Sequence, residues 1–436
     1  MRWGQAGIWL VGLGTLAPSG AARAALRGGA AKVAITPPTD IGPVSLGGYG
    51  DRQGAQYAGV HDDIFARALA LQQADGAGCV IVALDRLEVP QYLHADVCAA
   101  LAAAPALEFP VGPDNLVITA SHTHSAPENL ARQGDLFPLA FGQLNQALYD
   151  WTVRQIDSVV RDAVSRLRPA AVGAVEVGLE GLVANRRGGA AVYPVLTALW
   201  VTEPDGRPIA VLTNFAAHPT MLGPENLLIS GDWPGELERQ VEQTLGGDAV
   251  CLFTNGAQGD QRPAGDFGAS FEGVAAYGRR LADAVLATRA EVHPSPDAVV
   301  RTVSEELTLP QRTASPAFAA SASQEYPIPP DQLTAVLGAL FPARARVHAV
   351  RLGDALIVTV PGEMAADLGA GLRARAGPAA KHPFIAGLAN TYCGYILSPA
   401  EYDRGGYEAA ISVYGRDFGP WLVDALARLM STADAP

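Results

Sequence analysis

Short apolar runs alternate along the chain with longer segments in which apolar residues recur at helical spacing. The runs that are apolar enough to form buried strands are 80–84, 116–120, 209–215, 250–254 and 355–360. The segments whose apolar residues line one face of a helix are 141–167, 234–245 and 277–290. Strands that alternate with helices in this way predict an α/β fold.

The segment 313–330 follows neither period. It is rich in Ala, Ser and Pro, which predicts a long loop or lid, and an inserted spacer is an equally good interpretation. No internal repeat and no low-complexity linker divides the rest of the chain. The length of 436 residues allows two or three domains or one large α/β domain, and we expect a single domain over residues 25–436.

The first 24 residues have the features of a secretory signal peptide. Arg2 provides a positive charge, residues 6–17 form an apolar stretch, and Ala22-Arg23-Ala24 fits the small-x-small cleavage pattern. The apolar stretch is shorter than the roughly 20 residues that a membrane-spanning helix needs, which makes an anchor helix the weaker alternative. We therefore expect removal of residues 1–24 and a secreted or periplasmic protein.

Composition narrows the class of protein. Hydrophobic residues make up 49% of the chain, which excludes disordered, collagen-like and coiled-coil proteins. A net charge of −13 without a basic run argues against a general nucleic-acid-binding protein. No later stretch is apolar for long enough to span a bilayer, so we expect no stable membrane insertion. The four cysteines match no metal-binding or redox spacing, and disulfides and the oligomeric state stay open.

Polar residues directly follow four of the predicted strands. The clusters are Ser121-His122-Thr123-His124, His218-Pro219, residues 255–260 and Pro361-Gly362-Glu363. In α/β sheets the ligand crevice lies outside the carboxyl ends of the strands. We therefore expect the four clusters to contribute to one site.

The pair His122 and His124 is the sharpest local signal. In extended backbone, residues i and i+2 face the same side, so both imidazoles can serve one site. Three nitrogen ligands with an open position suit catalytic zinc. His218 would be the third nitrogen ligand, and Glu363 would complete the set. An isolated histidine is more often a hydrogen-bonded structural residue. That interpretation applies to His61, His94, His293, His348 and His382.

Asp232, in the segment Gly231-Asp232-Trp233-Pro234, has two interpretations. Its carboxylate can orient a ligand histidine from outside the ligand set. It can equally cap the helix that is predicted to begin near Pro234.

Motifs along nearly the whole chain resemble those of the neutral ceramidase family, the non-lysosomal N-acylsphingosine amidohydrolases. The matching segments are Gly29 to Pro37, His61 to Ala68, His122 to Ser125, Asn185-Arg186, Asn214 to Pro219, Asn255 to Pro263, Pro361 to Glu363, and Asn390 to Tyr407. The resemblance implies a catalytic domain of mixed β-sheets flanked by helices.

The resemblance also implies a set of site residues. The family holds one zinc ion with two histidines, a glutamate and a tyrosine, which correspond by motif to His122, His218, Glu363 and Tyr395. Its second histidine, here His124, lies beside the reacting centre instead of on the metal, which revises the three-histidine set. The remaining members of the family site map to Arg186 and Tyr407.

The sequence departs from the family pattern in three places. The family has a serine next to the metal within Gly-Asp-x-Ser-Pro, whereas the chain reads Gly259-Asp260-Gln261-Arg262-Pro263. A glycine pair of the family is replaced by Glu128-Asn129. True ceramidases also carry a C-terminal immunoglobulin-like domain, and we expect none in this chain.

These motifs together predict a zinc-dependent hydrolase that cleaves the amide bond of a small-molecule or lipid acyl substrate with a metal-activated water. His124 would move protons, while Arg186 and Tyr407 would donate hydrogen bonds to the oxyanion. Arg262 would bind a substrate carboxylate or phosphate, or else pair with an acidic neighbour, Asp260 or Asp266. An esterase or lactonase on the same zinc site, and a non-catalytic metal-containing binding protein, are the alternatives.

Overall fold

The computed structural model describes residues 26–130, 143–326 and 328–435. The signal peptide predicted for residues 1–24 lies outside them. Three larger β-sheets contribute side chains to one central apolar cluster and carry helices on their opposite faces. Leu69 of the first sheet, Leu212 of the second and Ile357 of the third are buried there. Burial of such a side chain stabilises the fold by about 1.5–3 kcal/mol.

The three sheets are mixed. The strands of the first, in spatial order, are Leu116–Ala120, Gly78–Leu84, Phe65–Gln73, Leu26–Ala34 and Arg168–Pro169. Those of the second are Val250–Asn255, Pro208–Phe215, Val195–Thr202 and Ala171–Gly178, and those of the third are Val300–Thr308, Arg344–Leu352, Ala355–Thr359 and His382–Ala386. Among these strands each sheet has one parallel neighbouring pair, and its other pairs are antiparallel.

Three short ladders connect the loops at the ends of these sheets. They pair Gly59–Val60 with Leu228–Ile229, Val183–Asn185 with Gln261–Pro263, and Glu363–Met364 with Tyr395–Ile396. The last ladder places Glu363 directly opposite Tyr395 in register.

Helices cover the outer face of each sheet. Leu93–Ala103 and Gln146–Ser165 pack on the first sheet, Asp232–Leu245 and Phe271–Ala287 on the second, and Pro330–Leu340, Ala366–Arg373 and Phe418–Asp434 on the third. The short helices are Gly50–Arg52 and Thr288–Ala290 in 3₁₀ form, with Phe318–Ser321, Pro399–Asp403 and Gly406–Ala410 in α form. In the described part of the chain, no helix is both long enough and apolar enough to cross a membrane.

The predicted strands are confirmed with bounds that differ by at most two residues, whereas the helix starts differ more. The helix expected from 277 begins at Phe271, because the Ser270 side chain accepts the Gly273 N–H. The helix expected from 141 begins within the described residues at Gln146, where Asn145 accepts the Leu148 N–H at 3.0 Å. Side-chain caps set these boundaries, which the spacing of apolar residues does not reveal.

The segment 313–330, where the structure describes it, packs against the third sheet. It contains the one-turn helix Phe318–Ser321 and leads into the helix that begins at Pro330. Phe318 and Tyr326 are buried in the apolar cluster of the third sheet. All four cysteines of the chain are free thiols.

Candidate active site

The carboxyl ends of the three parallel strand pairs meet at one place. Side-chain to backbone hydrogen bonds tie them together across the sheets. Asn255 Nδ2 donates to the Ser121 carbonyl at 2.9 Å, and Thr119 Oγ1 donates to the Gly387 carbonyl at 2.7 Å. Because these groups are buried, each bond also satisfies a polar group that would be costly to leave unpaired. The loops that follow these strands therefore begin at fixed positions.

His122, His218 and Glu363 come from these three loops and converge on one point. The Glu363 Oε2 atom lies 3.2 Å from His122 Nε2 and 2.9 Å from His218 Nε2. All three side chains are buried, and His218 Nε2 and Glu363 Oε2 have no hydrogen-bond partner among the described residues. Ligand atoms of a tetrahedral zinc ion with bonds of 2.0–2.1 Å are about 3.3 Å apart. The spacing and the unpartnered atoms fit a metal ion.

Backbone carbonyls orient the two imidazoles. His122 Nδ1 bonds the Leu87 carbonyl at 2.7 Å, and His218 Nδ1 lies 2.9 Å from the Gln258 carbonyl and 3.0 Å from the Gln261 carbonyl. A carbonyl accepts only, so Nδ1 carries the proton and Nε2 presents its lone pair. Burial lowers the pKa of His218 to about 4, which keeps its imidazole neutral. Both rings are therefore prepared as metal ligands.

His124 completes a buried group of three histidines. Its ring centroid lies 4.8 Å from that of His122 and 6.0 Å from that of His218, and neither of its nitrogens has a hydrogen-bond partner in the part of the chain that the structure describes. Candidate ligand atoms of the three histidines lie within 4.8 Å of one another, so this cluster can bind a metal ion. Burial, followed by the neighbouring His122 and His218, lowers the pKa of His124 well below its usual value.

A turn, not an extended strand, brings His122 and His124 together. The strand ends at Ala120, and His122 adopts a φ of +74° in the left-handed region. The sequence prediction of proximity is correct, but the alternation from which it was derived does not apply. A β-carbon on Gly48, whose φ is +91°, would lie 2.3 Å from His124 Nδ1, so the loop over His124 requires glycine there.

Tyr395 and Arg186 form the next layer of the site. An Arg186 Nη2 N–H donates to the Tyr395 hydroxyl oxygen at 2.8 Å, and Arg186 Nε donates to Glu408 at 2.8 Å. Burial raises the pKa of Tyr395 well above its usual value, and the Arg186 cation acts in the opposite direction. Tyr395 pairs with Glu363 in a parallel ladder, and its ring centroid lies 6.5 Å from that of His218.

An apolar pocket opens beside this polar centre. Its empty volume is about 740 Å³ including its opening to solvent. The apolar wall consists of Phe318, Ile328, Leu337, Leu340, Phe341, Ile411 and Val413. His122, His124 and Glu363 line the other side, together with Tyr395 and Tyr407. The Tyr407 hydroxyl lies 3.2 Å from that of Tyr326, a second phenol in the wall. The pocket thus places apolar surface within reach of the candidate metal ligands.

The family model for neutral/alkaline non-lysosomal ceramidases, N-terminal, matches residues 28–272 and 320–423. The chain belongs to this family. Its fold matches the crystal structure of neutral ceramidase from Pseudomonas aeruginosa, with a TM-score of 0.79 and 20% identity over 94% of this chain and 75% of that one. A structure of a ceramidase complexed with C2 matches with a TM-score of 0.76 and 20% identity, over 94% and 74% of the two chains.

The structure does not bring Arg262 to the ceramidase-like site. Its side chain is exposed, is absent from the pocket lining and donates to the Pro263 carbonyl at 3.2 Å. Side chains alternate along the strand Gln261–Pro263, so Arg262 faces solvent because Gln261 is buried. In the described part of the chain, neither of the alternative partners, Asp260 and Asp266, forms an ion pair with it, and Asn185, Gln261 and the Ala366 N–H occupy the Asp260 carboxylate.

Of the two roles that the sequence suggested for Asp232, the structure favours the one at the start of its helix. It is the first helical residue and has a φ of +52°, while Gly231 occupies the cap position. Its carboxylate accepts the Trp233 N–H at 2.6 Å and the Leu222 N–H at 3.4 Å. The described residues show no hydrogen bond from it to a ligand histidine. Asp232 therefore fixes the loop before its helix.

Three contributors to the site carry no clear sequence signal. Tyr392 donates to Glu363 Oε1 at 2.7 Å, Glu408 accepts from Arg186, and Tyr326 meets Tyr407. Tyr392 and Tyr326 have a positional hint, because each lies in a segment already singled out, 390–407 and 313–330 respectively. An isolated tyrosine or glutamate in a mixed segment has no spacing that separates a site residue from a packing residue.

Proposed function

We propose that this member of the ceramidase family is a zinc-dependent amidohydrolase that cleaves the amide bond of an N-acylated small molecule or lipid. The family and the fold support a ceramidase-like hydrolase. The observation that carries the finer proposal is the convergence of His122 Nε2, His218 Nε2 and Glu363 Oε2 beside an apolar pocket. We further propose a secreted or periplasmic location, on the pattern of residues 1–24.

The donor set fits zinc. Two imidazole nitrogens and a carboxylate oxygen are typical zinc ligands, and among the described residues the buried lone pairs at His218 and Glu363 have no other partner. Tyr395 would be the fourth ligand. A bound zinc ion supplies a Lewis acid that polarises an acyl oxygen and acidifies water.

His124 is the proton-transfer group of the proposal. Its neutral imidazole accepts a proton as water attacks the acyl carbon, and returns it to the leaving amine nitrogen. Neither of its nitrogens has a hydrogen bond to a described residue, and the side chain lines the pocket. Proton uptake at this position costs no existing hydrogen bond, which suits a group that is charged only transiently.

Arg186 and Tyr407 would stabilise the negative charge that develops on the acyl oxygen. Burial disfavours the Arg186 cation, but Tyr395 and Glu408 raise its pKa above the usual value and keep it charged. Burial also raises the pKa of Tyr407, so its hydroxyl keeps the proton that it donates. Fixed donors in a pocket with little water stabilise an oxyanion more than solvent does. Arg262 has no part in this proposal.

The acyl chain would lie against the apolar wall of the pocket. Phe318 and Phe341 are buried there, and Ile411 is partly buried. Contact with this wall removes about 0.8 kcal/mol of unfavourable hydration per methylene group. The same contacts would hold the acyl carbon near His124.

The test is a metal and activity analysis of His122→Ala. We expect the wild type to bind one zinc ion per chain and to hydrolyse an N-acyl substrate, and the variant to lose both. His94→Ala is the matched control, because His94 is also buried but bonds the Leu116 carbonyl outside the cluster. Wild-type metal content in His122→Ala would overturn the ligand assignment.

A substrate panel tests the bond that is cleaved. Ceramide, short N-acyl amino acids and acyl esters should be compared with the zinc-loaded protein. Faster cleavage of the amides supports the proposal, and cleavage of the esters alone would make the chain an esterase or lactonase. Stoichiometric zinc without turnover of any acyl substrate would indicate a binding protein.

A further inference from the structure

The two carboxylate oxygens of Glu363 have different surroundings. Oε1 accepts a hydrogen bond from the Tyr392 hydroxyl at 2.7 Å. Oε2 lies 2.9 Å from His218 Nε2 and 3.2 Å from His122 Nε2, and within the described residues it has no hydrogen-bond partner. The Tyr392 phenol therefore holds Oε1, whereas Oε2 lies at the point on which the two imidazoles converge.

The segment that carries Tyr392 is fixed on both sides. The Cys393 N–H donates to the Pro361 carbonyl at 2.8 Å, and the Glu363 N–H donates to the Gly394 carbonyl at 3.0 Å. The Tyr392 ring packs against the apolar clusters of the first and third sheets, with its centroid 6.1 Å from that of Phe341. The hydrogen-bonded backbone and the packed ring therefore hold the Tyr392 hydroxyl next to Glu363.

We propose that Tyr392 is a positioning residue that holds Glu363 in the orientation in which a single oxygen, Oε2, receives the metal ion. The inference rests on the proposed zinc site. It adds to that site a group outside the ligand set, acting through Glu363 and not on the substrate. Without the phenol, the carboxylate would rotate about its last torsion and offer both oxygens to the ion.

The expected size of the effect follows from other metal sites. Removal of a group that orients a metal ligand weakens metal binding by about 10–100-fold. A carboxylate that is free to bind through two oxygens also changes the coordination number of the ion. Both quantities can be measured without any activity assay.

The experiment compares Tyr392→Phe with Tyr414→Phe. Each variant loses one hydroxyl and keeps its ring, and Tyr414 donates to the Pro342 carbonyl at 2.6 Å within the cluster of the third sheet. Zinc affinity is measured by competition with a chelator, and the visible spectrum is recorded for the Co²⁺-loaded proteins. Melting temperatures of the metal-free proteins report the fold. Tyr392→Leu, which also lacks a donor, is a second variant in case the first is unstable.

We expect the Tyr392 variants to bind zinc about 10–100-fold more weakly and to have an altered Co²⁺ spectrum. Tyr414→Phe should match the wild type in both. Unchanged zinc affinity and an unchanged spectrum in a folded Tyr392→Phe would overturn the inference and leave the proposed function intact. A wild type that binds no metal through His122 would overturn both.

Discussion

The guanidinium of Arg186 donates a 2.8 Å hydrogen bond to the hydroxyl oxygen of Tyr395, and its carbon lies 5.6 Å from the centroid of that ring. A cation held against a candidate ligand phenol favours the negatively charged form of that phenol. Glu408 anchors the cation from the other side. Arg186 therefore links the proposed metal site to the proposed oxyanion site, and a change at this residue should affect both.

Arg186→Gln should lower kcat/KM on an N-acyl substrate by about 100-fold, the usual cost of removing one oxyanion donor. It should also weaken zinc binding, because Tyr395 loses its neighbouring cation. Steady-state kinetics and metal titration measure the two effects. Arg187→Lys is the control, since Arg187 bonds Glu401 and Glu408 at the edge of the same network. Equal losses of kcat/KM and of zinc binding in the two variants would show that both effects come from the stability of the hydrogen-bond network around Glu408.

His124→Ala separates the two assignments of this histidine. If His124 transfers protons, the variant keeps one zinc ion per chain and loses about 10²–10⁴-fold in kcat. If His124 is a third nitrogen ligand, as the spacing of the three histidines also allows, the zinc is lost with the activity. Metal content after dialysis, measured beside that of His122→Ala, distinguishes the outcomes. We expect zinc to be retained.

Arg262→Ala should leave zinc content, kcat and substrate preference within about twofold of the wild type, because surface substitutions of this kind change little. The expectation follows from the exposed side chain and its single bond to the Pro263 carbonyl. The measurement is kcat/KM on acyl substrates with and without a carboxylate. A selective loss on the carboxylate substrate would restore the role that the sequence suggested for this residue.

The sequence predicted the part of the site that depends on strand ends. His122, His218 and Glu363 each follow an apolar strand, and parallel strands deliver their carboxyl ends to one edge. Tyr395 and Tyr407 were assigned by family resemblance alone, because no period marks a tyrosine as a ligand. The left-handed turn at His122 was missed because the apolar pattern stops at Ala120.

The errors concern which way a side chain faces. Arg262 occupies the motif position of a site residue, but the short ladder of Gln261 with Asn185 sets the alternation and turns Arg262 outward. A hydrogen-bonded register between segments far apart in sequence cannot be read from either segment. The same limit applies to Tyr392, whose partner Glu363 is 29 residues away.

Asp232→Asn should change how stability depends on pH. Burial raises the pKa of Asp232 from 3.8 to about 7, the nearby Asp62 carboxylate adds to the rise, and the Trp233 and Leu222 N–H groups oppose it. Between pH 3.8 and about 7 the Asp232 carboxyl keeps its proton in the folded chain and has lost it in the unfolded chain. This group's contribution to the free energy of unfolding therefore falls with rising pH by about 1.4 kcal/mol per unit.

The measurement is urea unfolding of wild type and Asp232→Asn between about pH 4 and 8, the window that the raised pKa defines. The difference in unfolding free energy, variant minus wild type, should increase with pH, because only the wild type contains this titrating group. A constant difference for Asp232→Asn would show that its carboxylate titrates alike in the folded and unfolded chains.

Ile411→Trp tests whether the apolar pocket holds the acyl chain. Ile411 is partly buried in the pocket wall, so a larger ring there would occupy space that a long chain needs. Loss of three or four methylene contacts at about 0.8 kcal/mol each raises KM for a long-chain amide by roughly 50–200-fold. The acetyl analogue, which does not reach the wall, should keep its KM within a factor of about two. Val299→Trp, at an exposed position directly before the strand Val300–Thr308, controls for the added ring. Equal losses on long and short chains would place the acyl group elsewhere, because only a chain that fills the pocket discriminates by length.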